Sequence, residues 1–135
     1  MPSQMAKTHY LEDRILNEVL RGIDYTPPAT VYVALFTTPT DKDGGGTEVS
    51  GGGYARQPVT FGAPGPGTDG HKVSNSAEVL FPEATAPWGV VTHVAIFDAA
   101  TAGNMLYQGA LEESRDVKTG DQVRFKAGDL SVEEK

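Results

Sequence analysis

Two glycine-rich stretches and three histidines are the parts of this chain whose residue types could do chemistry. The three glycines at 51–53 could cradle a phosphate with their backbone amides. A phosphate loop, however, needs Lys-Ser/Thr and a helix directly after its glycines, so that the amides and the helix dipole meet the phosphate. Here Tyr54 and Arg56 follow, within a run with β-strand character that ends at Phe61. The context therefore predicts a turn with positive φ and no cofactor.

A second glycine-rich stretch, DKDGGGTE at 41–48, spaces its carboxylates in a way that could wrap a calcium ion. An EF-hand loop also needs flanking helices, a third ligand at its fifth position and a glutamate at its twelfth, and this stretch has none of them. We therefore predict a solvated acidic turn. The histidines, His9, His71 and His93, lack the four-residue spacing and the neighbouring third ligand of a zinc site, so we expect no metal.

A Ser-His-Asp triad can be assembled on paper from Ser74 or Ser76 with His93 and Asp98. The chain has no Gly-x-Ser-x-Gly elbow, which would expose a nucleophilic serine on a strand-to-helix turn. Because His93 lies in an alternating run, we expect it to be half-buried with a hydrogen bond rather than to act as a base. The sequence thus predicts no catalytic residue, and we interpret the chain as a protein that is not an enzyme.

Several side chains could instead contact a partner. Arg56, close to Tyr54, can fork onto a carboxylate or lie on an aromatic face, within the subunit or across to a neighbour. Trp88, the only tryptophan, could anchor an interface or a sugar, or it could pack in the core. These three residues, together with Leu11 and Ile15 of the helix described below, are the predicted interaction residues.

Composition narrows the classes of partner. The 135 residues suffice for one domain with its own core, and they include no cysteine. Eighteen acidic and 11 basic residues give a formal net charge of −7. Such a surface argues against a nucleic-acid groove, which needs clustered lysine and arginine. No apolar run approaches the roughly 20 residues of a membrane-spanning helix, so no membrane partner is expected.

One segment has helical spacing. Leu11, Ile15, Val19 and Ile23 recur every four residues, and polar side chains fill the opposite face. Gly22 stands where a C-cap glycine belongs. We predict an amphipathic helix over residues 8–22, preceded by a polar arm at 1–7. The periodicity leaves open whether the apolar face packs on the subunit itself or on a neighbour.

The rest of the chain has the pattern of short β-strands between turns rich in glycine and proline. Apolar or alternating runs occur at 30–37, 56–61, 73–81, 90–97, 105–111, 123–125 and 130–132. The first is apolar on both faces and should be central, whereas Pro58 should place the second at an edge. This pattern predicts a mainly β fold, an antiparallel β-sandwich or jelly roll over 30–132 with an N-terminal α-helix. A polar tail, 133–135, ends the chain.

A set of ordered segments extends over nearly the whole chain. They are LNEVLR (16–21), YTPPATVYVALFTT (25–38), GTEVSGGGYARQ (46–57), SNSA (74–77), VTHVAIFDAAT (91–101) and NMLYQGAL (104–111). Together they resemble the small tailed-phage proteins commonly labelled tail fibre or tail fibre-like virion proteins. The resemblance implies a virion structural protein without catalysis, assembled in the host cytoplasm. The chain departs from the family's pattern in the proline-rich loop at 63–72 and in the 133–135 tail, which we interpret as contact or specificity elements.

A fibre shaft would be long or repetitive, and this chain is neither. We therefore expect a capsid decoration, or cement, protein that sits on the head and stabilises the shell. Its expected partners are the major capsid protein and copies of itself, in a closed symmetric assembly such as a trimer. Two alternatives stay open. One is a minor tail or tail-fibre-associated protein that binds tail proteins, and the other is a carbohydrate-binding or hydrolytic β-sandwich.

Overall fold

The fold is mainly β, with one short N-terminal helix, as the sequence predicts. A computed structural model describes residues 3–134. In chain order the elements are β1 (Ser3–Lys7), α1 (His9–Arg21), β2 (Val31–Phe36), β3 (Gln57–Val59), β4 (Gly65–Pro66), β5 (His71–Ser74), β6 (Val79–Leu80), β7 (Gly89–Phe97), β8 (Met105–Val117), β9 (Arg124–Phe125) and β10 (Leu130–Glu134). Eight strands form one curled sheet in the order β3-β2-β7-β8-β1-β10-β5-β4, and β6 pairs with β9. This arrangement is consistent with the predicted β-sandwich.

The N-terminal segment corrects one expectation. The predicted polar arm at 1–7 is wrong for residues 3–7, which form β1 between β8 and β10, while residues 1 and 2 lie outside the described residues. β1 runs parallel to β10, with Ser3 beside Leu130 and Met5 beside Val132. Ser3 and Met5 are buried and Gln4 is exposed, which is the alternation of a strand. Five residues give too short a period to predict a strand whose partners lie at the other end of the chain.

The C-terminal segment corrects a second expectation. Glu133 and Glu134, predicted to belong to a free polar tail, are part of β10, and Lys135 lies outside the described residues. Glu133 is 2% exposed, and its carboxylate accepts hydrogen bonds from the backbone N–H groups of Thr68, Asp69 and Gly70 at 2.6–3.1 Å. Gln4 Nε2 donates to the same carboxylate at 2.9 Å. The buried acid therefore ties the 63–72 loop to both terminal strands.

The predicted strand at 73–81 is divided into β5 and β6 by the buried side chain of Asn75. Its Oδ1 accepts from the N–H groups of Gly128 and Leu130, and its Nδ2 donates to the carbonyls of Ala77 and Lys126. These four hydrogen bonds pair backbone groups with the Asn75 side chain at a bend, where a continuous strand would pair them with a neighbouring strand. The alternation of apolar and polar residues continues through position 75, so the sequence pattern predicts one strand and not two.

β2 lies between β3 and β7, and its two faces contribute to different apolar clusters, as its composition predicts. Val33 and Leu35 belong to the main core, which also contains Phe81, Trp88 and Phe125. On the other face Ala34 and Phe36 pack with three further residues, Ala95, Phe97 and Met105. β3 is a sheet edge and contains Pro58, so that prediction is confirmed as well.

Candidate interaction surfaces

The three glycines at 51–53 form a turn that packs on Trp88. All three have φ between 59° and 79°, a region that favours glycine. A Cβ on Gly52 would lie 2.8 Å from the carbonyl oxygen of Ala86 and 2.9 Å from the Trp88 indole. Trp88 Nε1 donates to the carbonyl of Gly52 at 2.8 Å. The predicted positive-φ turn is confirmed, and its glycines serve close packing against an indole.

Glu48, Tyr54 and Arg56 form a second internal structure beside this turn, which we call the arginine clamp. The guanidinium of Arg56 donates from Nε and Nη2 to the two carboxylate oxygens of Glu48, at 2.8 and 2.9 Å. Tyr54 Oη donates to the same carboxylate at 2.6 Å and accepts from the N–H of Leu35 at 3.0 Å. The clamp thus joins the turn at 51–53 to the central strand β2.

The rest of the Arg56 guanidinium is also occupied within the subunit. Nη1 donates to the carbonyls of Ala99 and Ala102 at 2.9 and 2.7 Å, which fixes the turn between β7 and β8. The Cζ atom stands 3.7 Å from the ring centroid of Phe97, a cation–π contact. Only 7% of the Arg56 side chain is exposed. Both contacts foreseen from sequence, a carboxylate fork and an aromatic face, therefore occur inside the subunit.

Ionisation in the clamp follows these contacts. Burial pushes the pKa of Glu48 upward, but the hydrogen bonds from Arg56 and Tyr54 outweigh it, and the net pKa lies below its ordinary value of 4.5. The hydrogen bond to Glu48 raises the pKa of Arg56. Burial, and then the hydrogen bond to the Glu48 carboxylate, raises the pKa of the Tyr54 hydroxyl. Carboxylate and guanidinium therefore remain charged and the phenol neutral around pH 7.

The five predicted interaction residues occupy different places. Leu11 and Trp88 are buried, Arg56 is almost covered, Tyr54 packs partly buried against the core, and Ile15 is half-buried on α1. Trp88 meets the Tyr54 and Phe81 rings edge-on, at centroid distances of 5.4 and 6.4 Å. The structure therefore brings Tyr54, Arg56 and Trp88 together as internal packing, and contact of any of the five with a partner stays a prediction.

The first turn of α1 is held firmly against the sheet. Thr8 caps the helix, accepting from the N–H of Leu11, and its hydroxyl donates to the carbonyl of Met105 at 2.7 Å. Lys42 Nζ donates to the Glu12 carboxylate at 2.7 Å. His9 Nδ1 lies 2.8 Å from a carboxylate oxygen of Asp43, a contact that raises the pKa of His9. These contacts orient the helix from its N-terminal end.

The C-terminal half of α1 is exposed along its apolar side. Leu16, Val19, Leu20 and Ile23, which we call the helix stripe, expose 54%, 71%, 74% and 44% of their surface. At about 100° per residue, Leu20 points roughly 180° away from the buried Leu11. One face packed on the sheet cannot cover both. The sequence indicates this exposure, because the apolar side chains of the helix cover a wider angle than one packed face can bury. The contact residues predicted from sequence, however, are Leu11 and Ile15, in the N-terminal part of the helix.

The residues of the hypothetical triad have other partners. His93 is half-buried, as predicted, with Nδ1 2.8 Å from the Thr92 hydroxyl, and burial lowers its pKa. Asp98 accepts from the backbone and side-chain nitrogens of Asn104 across the β7–β8 turn. Ser76 Oγ lies 3.1 Å from the Thr60 hydroxyl. These contacts explain each residue as part of a turn or of strand pairing.

In the acidic loop at 41–48, the Asp41 side chain bonds to the backbone of the loop itself. Asp41 Oδ1 accepts from the N–H groups of Asp43 and Gly45, both at 2.9 Å, which closes an Asx-type turn. Glu48, the last acid of the stretch, belongs to the arginine clamp instead. The loop is thus the acidic turn that the sequence predicts. Across residues 3–134, no helix has the length and apolar character needed to cross a membrane.

These features define a β domain whose polar networks connect its own loops and which exposes four aliphatic side chains along α1 and its C-terminal end. A family model described as "Podophage GP4 fiber I protein gp80" matches residues 6–133, and the chain belongs to this family. It is therefore a tailed-phage virion protein of the kind labelled tail fibre-like, which confirms the resemblance seen in the sequence. No curated protein matches the chain.

Proposed function

We propose that this protein is a non-enzymatic structural component of the outer surface of the virion, which works by binding neighbouring proteins. The observation that carries this proposal is the helix stripe, four aliphatic side chains left open on a member of a phage fibre family. A monomer in isolation gains nothing from such a surface, whereas a protein that docks on others needs one. Assembly in the host cytoplasm is part of the proposal.

The finer assignment that we propose is capsid decoration, with the major capsid protein and copies of the chain itself, such as a trimer, as partners. Its support is the compact form of the domain, in which the described residues build one continuous eight-stranded sheet instead of a repeating shaft. A net charge of −7 keeps free copies soluble before they assemble.

A second candidate is a minor tail or tail-fibre-associated protein. The description of the family as a fibre protein favours it, because that name refers to an appendage rather than to the shell. A small domain of this kind would attach a fibre or occupy its base, bound to tail proteins.

The location of the chain in separated heads and tails tests both candidates. Mass spectrometry of each fraction should find it in heads, and adding the purified protein to heads that lack it should raise their resistance to heating. If tails contain the protein and heads do not, capsid decoration is wrong and the second candidate holds. An enzymatic role would require that His93→Ala or Asp98→Ala abolish an activity while the fold persists, and we expect these changes to alter stability only.

A further inference from the structure

The helix stripe has the spacing by which an amphipathic helix lies in an apolar groove. Leu16, Val19, Leu20 and Ile23 stand at i, i+3, i+4 and i+7. The N–H of Ile23 bonds to the carbonyl of Asn17 at 3.0 Å, and Gly22 has φ of 67°, so a left-handed glycine cap holds Ile23 close to the helix. The stripe is thus a preformed set of four anchors.

A groove of suitable character lies at the β3 edge of the same molecule. Its volume is about 270 Å³, and we call it the β3 groove because Pro58 and Val59 of β3 line it. Its other lining residues are Ala29, Thr30, Thr60, Ala77, Glu78 and Val79. Leu80, the next residue of β6, is one of the exposed large hydrophobic side chains.

We propose that the helix stripe of one copy docks in the β3 groove of a second copy. This inference rests on the self-association proposed above and assigns the two surfaces that produce it. Within residues 3–134 the exposed large hydrophobic side chains are the four of the stripe, Leu80 and Val90. Four of these six form the stripe, which the contact would cover.

The distribution of charge favours the same pairing. The chain carries −7, but residues 9–23 contain three acids and two arginines, so the helix region carries only −1. Glu78 lines the groove, and its carboxylate lies 3.4 Å from the guanidinium of Arg124, so these two opposite charges compensate each other. Two nearly neutral apolar surfaces on an acidic protein can approach each other with little of the repulsion felt by the rest of the surface.

The position of the two surfaces makes the contact head-to-tail. α1 packs on β8 and β1, whereas the groove adjoins β3, and β7 and β2 separate β8 from β3 in the sheet. One copy can therefore give its helix to one neighbour and receive the helix of another. Contacts of this type close into rings when the rotation between copies permits and extend into filaments when it does not.

The area involved predicts a weak contact between two copies. The four side chains of the stripe expose roughly 400 Å², about half of the 800 Å² per partner that a stable interface covers. A pair should therefore dissociate in the micromolar range or above, and several linked contacts would stabilise a ring or an array. Such a protein stays separate when dilute and assembles where copies are held close together.

Sedimentation velocity of the full chain between about 1 µM and 1 mM tests the contact. The wild type should shift from monomer to larger species as concentration rises. Val19→Asp should need at least about tenfold higher concentration for the same shift, because docking would bury a charge. The matched control is Asn17→Asp, which adds the same charge to α1 about 160° around the helix from Val19 and should behave as the wild type. Circular dichroism on each variant verifies that the fold is retained.

A mixing experiment separates head-to-tail docking from helix-to-helix pairing. Ala77→Glu should block the groove and, like Val19→Asp, should stay monomeric alone at concentrations where the wild type associates. Mixed, the two variants should form a one-to-one pair and nothing larger, since one keeps an intact groove and the other an intact helix. A mixture that stays monomeric overturns the proposal, as does a wild type that is monomeric throughout. A monomeric wild type that still binds heads or tails would leave the proposed function standing.

Discussion

The arginine clamp and the helix stripe differ in whether their side chains find partners within the subunit. In the clamp each of the three side-chain nitrogens of Arg56 donates to an acceptor within the subunit, and the guanidinium lies on the Phe97 ring. The four aliphatic side chains of the stripe are exposed to solvent, whereas a core residue is surrounded by other side chains. The clamp contains the most distinctive residues of the sequence, yet it holds loops together. The stripe consists of ordinary aliphatic residues and is the surface available to a partner.

This contrast teaches that distinctiveness in sequence and exposure in structure are separate properties. A charged fork, a triple glycine and a lone tryptophan attract attention as functional candidates because their residue types are chemically rich. In this fold the same residue types form a left-handed turn, pair a half-buried carboxylate and pack closely against an indole. Destabilisation should therefore follow changes near the clamp, and loss of assembly should follow changes in the stripe.

The largest expected effect is that of Trp88→Ala. The change removes a buried indole that contacts the Tyr54 and Phe81 rings, and it leaves the Gly52 carbonyl with the N–H of Thr85 as its remaining donor. Urea unfolding followed by circular dichroism should show a loss of about 3–5 kcal/mol. Trp88→Phe keeps most of the volume and should lose clearly less. Equal losses for both variants would mean that the hydrogen bond, and not the packing, dominates at this position.

The second effect is that of Arg56→Ala, which leaves the half-buried Glu48 carboxylate with the Tyr54 hydroxyl but no guanidinium, and removes the Arg56 donor from two turn carbonyls. We expect a loss of about 2–4 kcal/mol in the free energy of unfolding. Arg56→Lys keeps the charge but cannot form the two-pronged contact, so its loss should lie between those of the wild type and the alanine variant. An unchanged free energy in Arg56→Ala would show that the clamp contributes nothing to stability.

The third effect concerns pH and Glu48. Because the folded pKa of Glu48 lies below its unfolded value, the ionised carboxylate stabilises the fold above the unfolded pKa. That contribution is lost as pH falls through the folded pKa. Glu48→Gln keeps the shape without the titration, so the stability difference between wild type and variant should be full above about pH 5 and should shrink toward pH 3. A difference that grows on acidification would contradict the sign of the shift.

Sequence predicted the parts of the fold whose signals are local. The helix from His9 to Arg21, its end at Gly22, the central β2 and the edge strand with Pro58 all follow from periodicity or from turn chemistry over a few residues. β1 and the end of β10 were missed because each gains its partner from the far end of the chain. Their pairing depends on tertiary context, which short-range patterns do not contain.

The candidate surface was predicted only in part for a related reason. Periodicity showed an apolar helix side but could not show where the sheet would stop covering it. Likewise the residue type of Arg56 suggested a carboxylate fork and an aromatic contact but not their partners, of which Phe97 lies 41 residues away in sequence. For the helix, the deciding contacts are those of Thr8 with β8 and of Lys42 and Asp43 with the first turn of α1, which exist only in the assembled fold.

The smallest effect on stability is expected in the stripe, and it completes the contrast with the clamp. Val19→Ser and Leu20→Ser remove apolar surface that is already exposed, so the free energy of unfolding at dilute concentration should change by no more than about 0.5 kcal/mol. The matched variant is Leu11→Ser, more than two turns away on the same helix but buried, which should lose several times as much. Denaturation of all three at low micromolar concentration measures the comparison. If the exposed and the buried positions were equally costly, the stripe would be packed on its own subunit in solution, and it could not be the surface that binds a neighbour.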